Sequence, residues 1–552
     1  MHGLAIDAPS GPAEQATLAA LLRCCVREVA GPRGLVWPAP PYLLLRVAGT
    51  LLRARTHGGA ALRFDGPPER LEAGVWRPLA ADELVRLVET ELQERNGPQG
   101  QSGPQGQRGP QGQRGPQGRN GPQGQNGSSG QSGPQGYNGE FAEQVAASRD
   151  AVAAILRARA AAVPPADPWL ASEQALVYGH PFHPSPKARG GDGWLAYAPE
   201  AHARFPVRLL GVPEDALAEG GDASALDAMG SGPDGYRVLP AHPWQLQLLG
   251  PVLGSELIDL GPGPVVVPTS SVRTVYVPEA EVCLKFSLDV RITNCVRKNA
   301  WYELAGAVEL TERLRPVFAE ITVNHPTTRW LPEPGYRSVA LGSRLHEGLG
   351  VIVRRSPWAA CSPGVTPILA GALALDAKAP DPAAWWRSYV TVVALPVLEL
   401  YFAHGVVLEP HLQNVLVGLD GDGMPVEAVF RDLEGTKLVA GRHDLGGLHP
   451  EVARALTYDA ERGWARVVYC LLVNHLTEIA ATLAGTDDQL LRELWRSARS
   501  LFDRQAAGLG WPLPLSDLLA GAPLPAKANL GVRWARAADR AAGYVPIANP
   551  LA

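Results

Sequence analysis

The sequence predicts an α+β fold in which a helical amino-terminal part, a middle part rich in antiparallel strands and a mostly helical carboxyl-terminal part follow one another. Apolar residues recur at helical spacing in the first and last parts, whereas the middle consists of short apolar runs between Pro and Gly. A chain of 552 residues is too long for one ordinary core, so two or three packed units are expected. We place the domains at residues 1–170, 171–356 and 357–552.

The same periodicity predicts the individual helices and strands. In the first part, the predicted helices are 17–29, 82–95 and 141–163, the last ended by Pro164 and Pro165, and the predicted strands are 42–47 and 50–52. In the middle, strands are predicted over 264–277 and 281–287. In the last part, helices are predicted over 385–404, 463–483 and 488–507.

A glycine-rich tract interrupts the first part from Gly97 to Gly139, where every third residue is glycine and most repeats are Gly-Pro-Gln-Gly-Gln-x. This is the period of collagen, because only glycine fits the crowded axis of a triple helix. The tract is short and proline occupies less than half of the triplets, so a solvated polyproline-II-like or disordered insertion is favoured. A trimerising collagen stem is the alternative, and we assign the tract no chemistry.

Composition and charge exclude several classes of function. The net charge of -5 and the pI near 6.3 give no attraction to nucleic acid, so a small-molecule ligand is expected. The six cysteines form no Cys-x-x-Cys pair, which argues against a disulfide framework or a zinc ribbon and favours a reducing cytosol. No signal sequence or run of eighteen apolar residues is present, so we expect a soluble, cytoplasmic protein without a membrane span.

Two polar clusters flank a predicted β-hairpin in the last part. Apolar residues 415–417 and 426–430 surround a Gly-Asp-Gly tip, which is typical of two strands joined by a turn. The hairpin places Asn414 opposite Asp432. In kinase-like folds an Asn and an Asp at this spacing hold the magnesium ions of a nucleoside triphosphate, because a hard cation prefers oxygen ligands. The sequence therefore predicts a nucleotide and metal site, with a plain salt bridge between Asp432 and Arg431 as the alternative.

The loop before the hairpin adds Glu409, His411 and Gln413. Glu409 occupies the place where a sugar or antibiotic kinase carries its base aspartate. A glutamate there can hold Mg²⁺ or orient a substrate, but it weakens the prediction of a phosphotransferase. His411 and Gln413 both face the cleft if the loop is extended.

A stiff loop from Gly179 to Arg189 contains His180, His183, Lys187 and Arg189 among three prolines. Proline fixes φ, so these side chains are held with little entropy loss, which favours a clamp for phosphate or carboxylate. A structural loop is the first alternative. A metal site is the second, and it is disfavoured because the prolines break the helix that would bring the two histidines together.

A second histidine segment, His242 to Gln245, has the sequence His-Pro-Trp-Gln. A lone histidine beside tryptophan is more often packed and hydrogen-bonded than catalytic. A structural role is therefore predicted for it.

Hydroxyl and cationic side chains cluster on predicted strands of the middle part. Ser271 and Arg273 share one face of a strand, Lys285 lies on the next, and Arg291 and Arg297 follow. Hydroxyls, guanidinium groups and an ammonium in one cleft would neutralise a triphosphate and a polycarboxylate. The alternative is that they are solvated charges on the open face of an antiparallel sheet.

Taken in order, these motifs resemble the siderophore synthetases that work independently of nonribosomal peptide synthetases, the aerobactin-synthetase-like superfamily. The resemblance covers about residues 140–535 and is specific as a combination, although no single motif is. It rests on Gly-His-Pro-x-His-Pro-x-x-Lys-x-Arg (Gly179 to Arg189), His242 to Gln245, Ser-x-Arg-Thr (Ser271 to Thr274), Lys285 with Thr293 and Arg297, Glu-x-His-x-Gln-Asn (Glu409 to Asn414), Arg431 with Asp432, and Lys527 to Arg533. Only the Gly-x-x tract departs from the family pattern.

The resemblance implies a hand-shaped protein with a helical thumb, β-rich fingers and a helical palm distantly similar to kinases. It also implies an enzyme, expected as a homodimer, that uses ATP and Mg²⁺ to adenylate a carboxylate, usually of citrate or a citrate derivative, and then passes the acyl group to an amine or hydroxyl.

The resemblance further implies roles for individual residues. For ATP they are His183, Ser271, Arg273, Thr274, Lys285, Gln413, Asn414 and Asp432; for the metal, Glu409, Asn414 and Asp432; for the substrate carboxylate, Thr293, Arg297, His411, Lys187 and Arg189; and for catalysis, Arg297, His411 and Lys285.

Three hypotheses follow. An ATP-dependent synthetase releases AMP and pyrophosphate, a kinase-like phosphotransferase releases ADP, and a non-enzymatic binding protein displaying the tract needs neither Arg297 nor His411.

Overall fold

A computed structural model describes residues 11–96, 138–250, 256–292, 295–537 and 543–552, and for 96, 291–292 and 295–297 it describes the backbone alone. The Gly-x-x tract up to residue 137 and Thr293 therefore lie outside the described residues, as do the side chains of Arg291 and Arg297. Within the described residues the fold is α+β, as the sequence predicts.

The amino-terminal part packs α1 and α2 against a five-stranded antiparallel sheet of order β1-β2-β3-β4-β5, and α3 packs on these two helices. Its elements are α1 (Pro12–Cys24), which continues as a π-helical turn (Cys25–Ala30), β1 (Val36–Ala39), β2 (Tyr42–Val47), β3 (Thr50–His57), β4 (Arg63–Glu72), β5 (Val75–Pro78), α2 (Ala81–Asn96) and α3 (Phe141–Ala161). Proline at the first position of α1 costs no hydrogen bond. The core of this part includes Leu21, Leu45 and Phe141, and it also takes in Trp534 from near the other end of the chain.

The middle part contains an eight-stranded antiparallel sheet of order β7-β15-β16-β11-β10-β9-β6-β8. The elements before its long helix are α4 (Pro168–Glu173), β6 (Phe205–Pro213), β7 (Leu217–Gly221), β8 (Tyr236–Ala241), α5 (Pro243–Leu249), β9 (Ile258–Pro268), β10 (Thr274–Val277), β11 (Val282–Phe286), β12 (Leu288–Ile292) and β13 (Cys295–Arg297). They are followed by α6 (Trp301–Asn324), β14 (Thr328–Trp330), β15 (Gly335–Val339), α7 (Ser343–Gly348) and β16 (Val351–Arg355). β-branched residues such as Val207, Val275 and Val353 fill one side of this sheet, where they pack well on a pleated surface.

The carboxyl-terminal part is mostly helical around a small mixed sheet. Its elements are β17 (Thr366–Leu369), α8 (Ala370–Leu373), α9 (Pro382–Phe402), β18 (Val406–Val407), β19 (Val415–Leu419), β20 (Pro425–Phe430), β21 (Lys437–Val439), α10 (Pro450–Leu456), β22 (Thr457–Tyr458), α11 (Ala460–Val468), α12 (Thr477–Ala484), α13 (Asp488–Gly508), α14 (Leu513–Leu519), β23 (Leu524–Lys527), α15 (Asn529–Trp534) and β24 (Tyr544–Ile547). The mixed sheet has the order β14-β20-β19-β17, and β14 pairs with β20 in parallel. Because β14 precedes residue 356, this sheet crosses the predicted domain boundary, which stays a prediction.

One helical stretch, Ala460–Ala484, is long and apolar enough to span a membrane by composition, among the described residues. It comprises α11, a π-helical segment (Tyr469–Leu476) and α12. Within its most apolar window, 83% is buried inside the protein. Its apolar surface therefore forms core, as expected of a helix that is hydrophobic all round.

Candidate active site

A cavity of about 880 Å³ lies where the three parts of the chain meet. Its walls come from α1 and β4, the loop after α4, the segment between β9 and β10, strand β11, the loops on both sides of the β19–β20 hairpin, and the start of α15. It is lined by the following predicted site residues: His183, Lys187, Arg189, Ser271, Arg273, Thr274, Lys285, Glu409, His411, Gln413, Asn414 and Asp432. The structure thus brings together every predicted site residue whose side chain it describes.

The β19–β20 hairpin places the two predicted metal ligands at one end. Val415 pairs with Phe430 across the antiparallel strands, and the Arg431 amide donates to the Asn414 carbonyl oxygen at 3.1 Å. Asp432 follows in a left-handed conformation with φ 72°, which is uncommon for a residue with a Cβ and occurs preferentially at functional sites. The hairpin therefore has the predicted geometry, and its backbone turns sharply at Asp432.

Lys285 on β11 joins this hairpin end to the middle part. Its ammonium lies 2.7 Å from Asp432 Oδ1 and 2.9 Å from Glu434 Oε2, and only 2% of its side chain is exposed. Burial alone would raise the pKa of Asp432, but Lys285 and Arg354 outweigh it and hold the pKa of that carboxyl well below its usual range. Asp432 is therefore ionised at neutral pH and oriented by two cations.

Arg273 brings a second buried cation to the same cluster. Its guanidinium donates to Asn299 Oδ1 at 2.6 Å and to Glu434 Oε2 at 2.6 Å. Burial opposes ionisation of Glu434, but Lys285 and Arg273 lower its pKa to about 2. Two buried cations and two partly buried carboxylates thus alternate at the cavity wall, where their interactions are stronger than in bulk water.

Ser271 reaches the cavity by a different route from the one predicted. Strand β9 ends at Pro268, and residues 269–273 form a turn closed by the Thr274 amide donating to the Ser271 carbonyl oxygen at 2.5 Å. The Thr269 hydroxyl donates to the Thr274 carbonyl oxygen and stabilises the turn. The prediction that Ser271 and Arg273 share a strand face is therefore wrong, although both line the cavity.

Arg431 pairs with Glu173 and not with Asp432, which excludes the alternative role of Asp432. Its guanidinium donates to both carboxylate oxygens of Glu173, at 2.5 and 3.0 Å. Glu173 also accepts from the Trp169 indole at 2.9 Å and the Ser270 amide at 3.1 Å. One fully buried carboxylate therefore ties together α4, the turn after β9 and the end of β20.

Contacts with His475 and with Arg466 hold the loop from Glu409 to Asn414 in place. Buried His475 donates from Nδ1 to the Pro410 carbonyl oxygen at 2.8 Å, so its Nε2 accepts from the Tyr389 hydroxyl at 2.5 Å. Glu409 pairs with Arg466 at 2.6 Å and lies so close to Gly435 that a Cβ there would meet its Oε2 at 2.7 Å. A side chain at position 435 would therefore have to displace the Glu409 carboxylate from its place beside Arg466.

The remaining residues of this loop also make defined contacts. Gln413 donates from Nε2 to the Ser270 carbonyl oxygen at 2.9 Å, and His411 Nδ1 accepts from the Gln413 amide at 3.2 Å. A neutral His411 therefore carries its proton on Nε2.

The histidine loop is bent as the prolines predict. Gly179 has φ +70°, and a Cβ there would come within 2.9 Å of Pro186. His183 Nδ1 accepts from the Ser185 amide at 3.1 Å. Buried Lys187 forms an ion pair with Glu200, which argues against its predicted role as a ligand of the substrate carboxylate. Its neighbour Arg189 lines the cavity.

His242 is structural, as predicted. Its Nδ1 accepts from the Trp244 amide at the start of α5, and its ring packs among Tyr197, Phe205 and Phe286. Burial lowers the pKa of His242 to about 3, so it stays neutral.

Several charged residues of the site carry no motif and were missed by the sequence analysis. They are Arg354, which donates to both Glu333 and Asp432, and Glu303, Glu434, Lys437 and Arg466. Glu434 could have been predicted from the sequence, because it follows Asp432 by two residues. Burial and the nearby Glu434 raise the pKa of Glu303 to about 7, and its carboxylate accepts from the Ala300 amide at 2.8 Å.

The protein oxygens in the cavity are suited to hold Mg²⁺ only together with the phosphates of a bound substrate. Among the described residues, no three His, Cys, Asp or Glu side chains come together as a metal site. The ionised Asp432 carboxylate and the Asn414 amide still offer hard oxygen donors in one cavity. Mg²⁺ is commonly held by one or two protein oxygens plus substrate phosphates, so these residues fit it in that form.

Known families match three segments of the chain. The model of the IucA / IucC family matches residues 168–375, that of the ferric iron reductase FhuF-like transporter matches 383–542, and that of the collagen triple helix repeat matches 93–147. The first two together span the middle and carboxyl-terminal parts that form most of the cavity.

Curated relatives and solved structures agree with these matches. The rhizobactin siderophore biosynthesis protein RhbC of Rhizobium meliloti is 28% identical over 460 residues, which are 69% of this chain and 75% of that protein. The L-2,3-diaminopropanoate–citrate ligase of Staphylococcus aureus is 30% identical over 365 residues, 57% of this chain and 63% of that protein. The structure of ATP-bound aerobactin synthetase IucA from Klebsiella pneumoniae has the same fold, with a TM-score of 0.77, 22% identity, and coverage of 97% of this chain and 99% of that one. The family model, the relatives and the shared fold therefore all support the siderophore synthetases of the IucA/IucC type that the motifs resemble.

Proposed function

We propose that the protein is an ATP-dependent siderophore synthetase. It adenylates a carboxylate, with citrate as the leading candidate, and condenses it with an amine or hydroxyl to give an amide or ester. AMP and pyrophosphate leave. The observation that carries the proposal is the meeting of Lys285 and Arg273 with Asp432 and Glu434 at 2.6 to 2.9 Å inside one cavity. The names of the relatives support it, since one is a citrate ligase and another a siderophore biosynthesis protein.

The charges of the cluster suit a triphosphate. Lys285 and Arg273 are buried cations that face the cavity, and they are held in place by the carboxylates beside them. Bound Mg²⁺, held by Asp432 and Asn414 with Glu409 nearby, would neutralise phosphate charge and orient the phosphates. Ser271, Thr274, His183 and Gln413 then supply hydrogen bonds to the phosphates.

Adenylation is the first proposed step. A carboxylate oxygen of the acid attacks the α-phosphorus, a bond to pyrophosphate breaks, and negative charge grows on the phosphorus centre. Fixed donors stabilise that charge without reorganising, so Lys285 and Arg273 are proposed as the main contributors. His411 and Arg189, together with Arg297 and Thr293, are proposed to hold the acid, with Lys187 less favoured because Glu200 pairs with it.

Condensation is the second proposed step. The nucleophile attacks the acyl carbon, and AMP leaves with the bonding electron pair while the nucleophile loses a proton. Holding the adenylate and the nucleophile in one cavity supplies much of the rate, and exclusion of water protects the adenylate from hydrolysis.

Adenylation is tested by trapping with hydroxylamine across citrate, α-ketoglutarate and succinyl-type acids. Citrate is expected to give hydroxamate together with AMP and pyrophosphate. Release of ADP would instead favour the kinase-like phosphotransferase, and Asp432→Asn serves as the inactive control. The pairing of Glu409 with Arg466 weighs against that alternative, because a base has to be open to its substrate.

The oligomeric state and the cellular location follow from the family and stay proposals. We propose a cytoplasmic homodimer of two 58.6 kDa chains. Sedimentation equilibrium measures the mass directly, and a monomer or trimer in solution would contradict the dimer.

A further inference from the structure

One wall of the cavity is formed by the amino-terminal part of the chain and contains none of the predicted site residues. This amino-terminal wall is formed by residues of α1 and β4, which include Gln15, Ala16, Ala19, Arg23, Arg63, Phe64, Pro67 and Pro68. Gln15, Ala19 and Arg23 follow one another at a spacing of four, so they share one face of α1. A helix face with small residues around one long cation leaves room for a ligand beside that cation.

Arg23 and Arg63 are the charged residues of this wall, and Arg23 is the one without an ion pair among the described residues. Its Nε donates to the Leu62 carbonyl oxygen at 2.9 Å, and its guanidinium carbon lies 5.6 Å from the centre of the Phe64 ring. The structure records no ion pair for it and no hydrogen bond from its two terminal nitrogens within the described ranges. The backbone contact and the ring hold the side chain in place and leave its terminal nitrogens for a ligand.

The nearest other charges do not balance Arg23. Arg63 pairs with Glu478 at 3.2 Å and also donates to the Ala374 carbonyl oxygen at 3.0 Å and the Thr482 hydroxyl at 2.8 Å. Glu478 is thus already matched by Arg63. Burial lowers the pKa of Arg23, although Glu478 partly offsets this effect. A partly buried guanidinium without a matching charge is costly, and a carboxylate in the cavity would supply two parallel hydrogen bonds as well as the missing charge.

We propose that Arg23 binds a carboxylate carried by the amine co-substrate, so that this co-substrate is an amino acid and not a plain polyamine or alcohol. The inference rests on the proposed function. The anions of ATP and of the activated acid are met by cations of the middle and carboxyl-terminal parts, which leaves the amino-terminal wall to the third reactant. A guanidinium matches a planar carboxylate better than it matches any group of a polyamine, whose charges repel it.

Direct binding tests the inference with matched pairs of amines that differ only in the carboxylate. The pairs are L-2,3-diaminopropanoate with ethylenediamine, L-ornithine with putrescine, and L-lysine with cadaverine. Calorimetry on the full chain is expected to show binding of an amino acid at least 10-fold tighter than its partner. Arg23→Gln is expected to weaken that binding by about 10- to 100-fold, as loss of a charge-assisted pair predicts, and Arg23→Lys by less.

Arg46→Gln is the matched control, because Arg46 is an exposed arginine of the same part of the chain. Equal or absent binding of both members in every pair would overturn the inference, as would an Arg23→Gln variant that binds the amino acid as the wild type does. A variant that keeps amino-acid binding but loses citrate adenylation would also overturn it, because Arg23 would then serve the first acid. Failure of the wild type to adenylate any acid, with amino-acid binding retained and dependent on Arg23, would contradict the proposed function and leave only the amino-acid site at Arg23.

Discussion

Single residues in this site were predictable where the sequence offers a motif. Lys285 and Asp432 were expected to meet, and their 2.7 Å contact is observed. Arg354 was not expected, because its place depends on the register in which β16 pairs with β11, where it lies opposite Cys283. A lone arginine on a strand carries no sign of that pairing, so sequence alone does not assign it.

Lys285→Met tests the contribution of a single cation. The turnover of adenylation is expected to fall by about 10²- to 10³-fold, as found when one fixed donor to a transition state is removed. Turnover falls because methionine cannot stabilise the negative charge that grows on the phosphate in the transition state. Initial rates of pyrophosphate release at saturating ATP measure it.

Lys298→Met is the control for that experiment. Lys298 pairs with Glu347 at 2.9 Å and does not line the cavity. A Lys285→Met enzyme that keeps full turnover would remove Lys285 from the proposed chemistry. Thermal unfolding of both variants separates a loss of catalysis from a loss of fold.

Helices and strands were predictable where their apolar periodicity is clear. The hairpin of β19 and β20 and the helices α9 and α13 have nearly the predicted bounds. Three strands of the amino-terminal sheet were missed. Strand β4 contains Asp-Gly-Pro-Pro, a sequence typical of a turn, and only its pairing with β3 and β5 makes it a strand.

The ion pair between Glu173 and Arg431 couples two such elements, α4 and β20. Glu173→Ala leaves a buried guanidinium without its partner, so the free energy of unfolding is expected to fall by about 3–5 kcal/mol. The double variant Glu173→Met with Arg431→Met is expected to lose less, because no charge stays buried alone. Urea-induced unfolding followed by tryptophan fluorescence measures both.

An exposed pair serves for comparison. Glu312 and Arg315 lie 2.9 Å apart on α6 with both side chains more than half exposed, so Glu312→Ala is expected to cost about 1 kcal/mol or less. Equal losses at the two sites would contradict a special role for the buried pair.

Glu28, in the π-helical turn, contacts the start of α15 and makes the free energy of unfolding depend on pH. Its carboxylate accepts from the Leu530 and Gly531 amides at the start of α15. Burial outweighs these bonds and raises the pKa of Glu28 to about 7 from an ordinary value of 4.5. The folded chain thus keeps a proton between these pH values that the unfolded chain releases, and this residue lowers the free energy of unfolding as pH rises through the interval.

The variant Glu28→Gln removes that titration while it keeps one oxygen acceptor. Its midpoint of thermal unfolding, relative to that of the wild type, is expected to rise between pH 5 and pH 8. A constant difference across that range would show that Glu28 is ionised in both states.

At the scale of the whole molecule, the order of a helical part, an antiparallel sheet and a helical part was predictable because each has its own periodicity. The meeting of the three parts around one cavity was predictable only through the family resemblance. The amino-terminal wall and its Arg23 were missed, since the pairing of α1 with the carboxyl-terminal part has no local signal in either segment.

Removal of the Gly-x-x tract tests whether it matters to the whole enzyme. Helices α2 and α3 pack against each other on either side of it, so replacing residues 98–137 with a short Gly-Ser linker is expected to leave adenylation of citrate and the oligomeric state unchanged. Loss of a trimer on deletion would favour the collagen stem, and a linker of scrambled tract composition controls for length.

Lys527 and Asn529, which are among the last residues of the chain to be synthesised, line the cavity. The ribosome has to translate past residue 529 before α15 can dock onto Glu28 and complete the pocket that α1 began. A nascent or prematurely terminated polypeptide that stops after the β19–β20 hairpin would carry Lys285, Asn414 and Asp432 yet lack an enclosed chamber. Such fragments lack the wall formed by Lys527 and Asn529, so they are expected to show no turnover in the proposed adenylation.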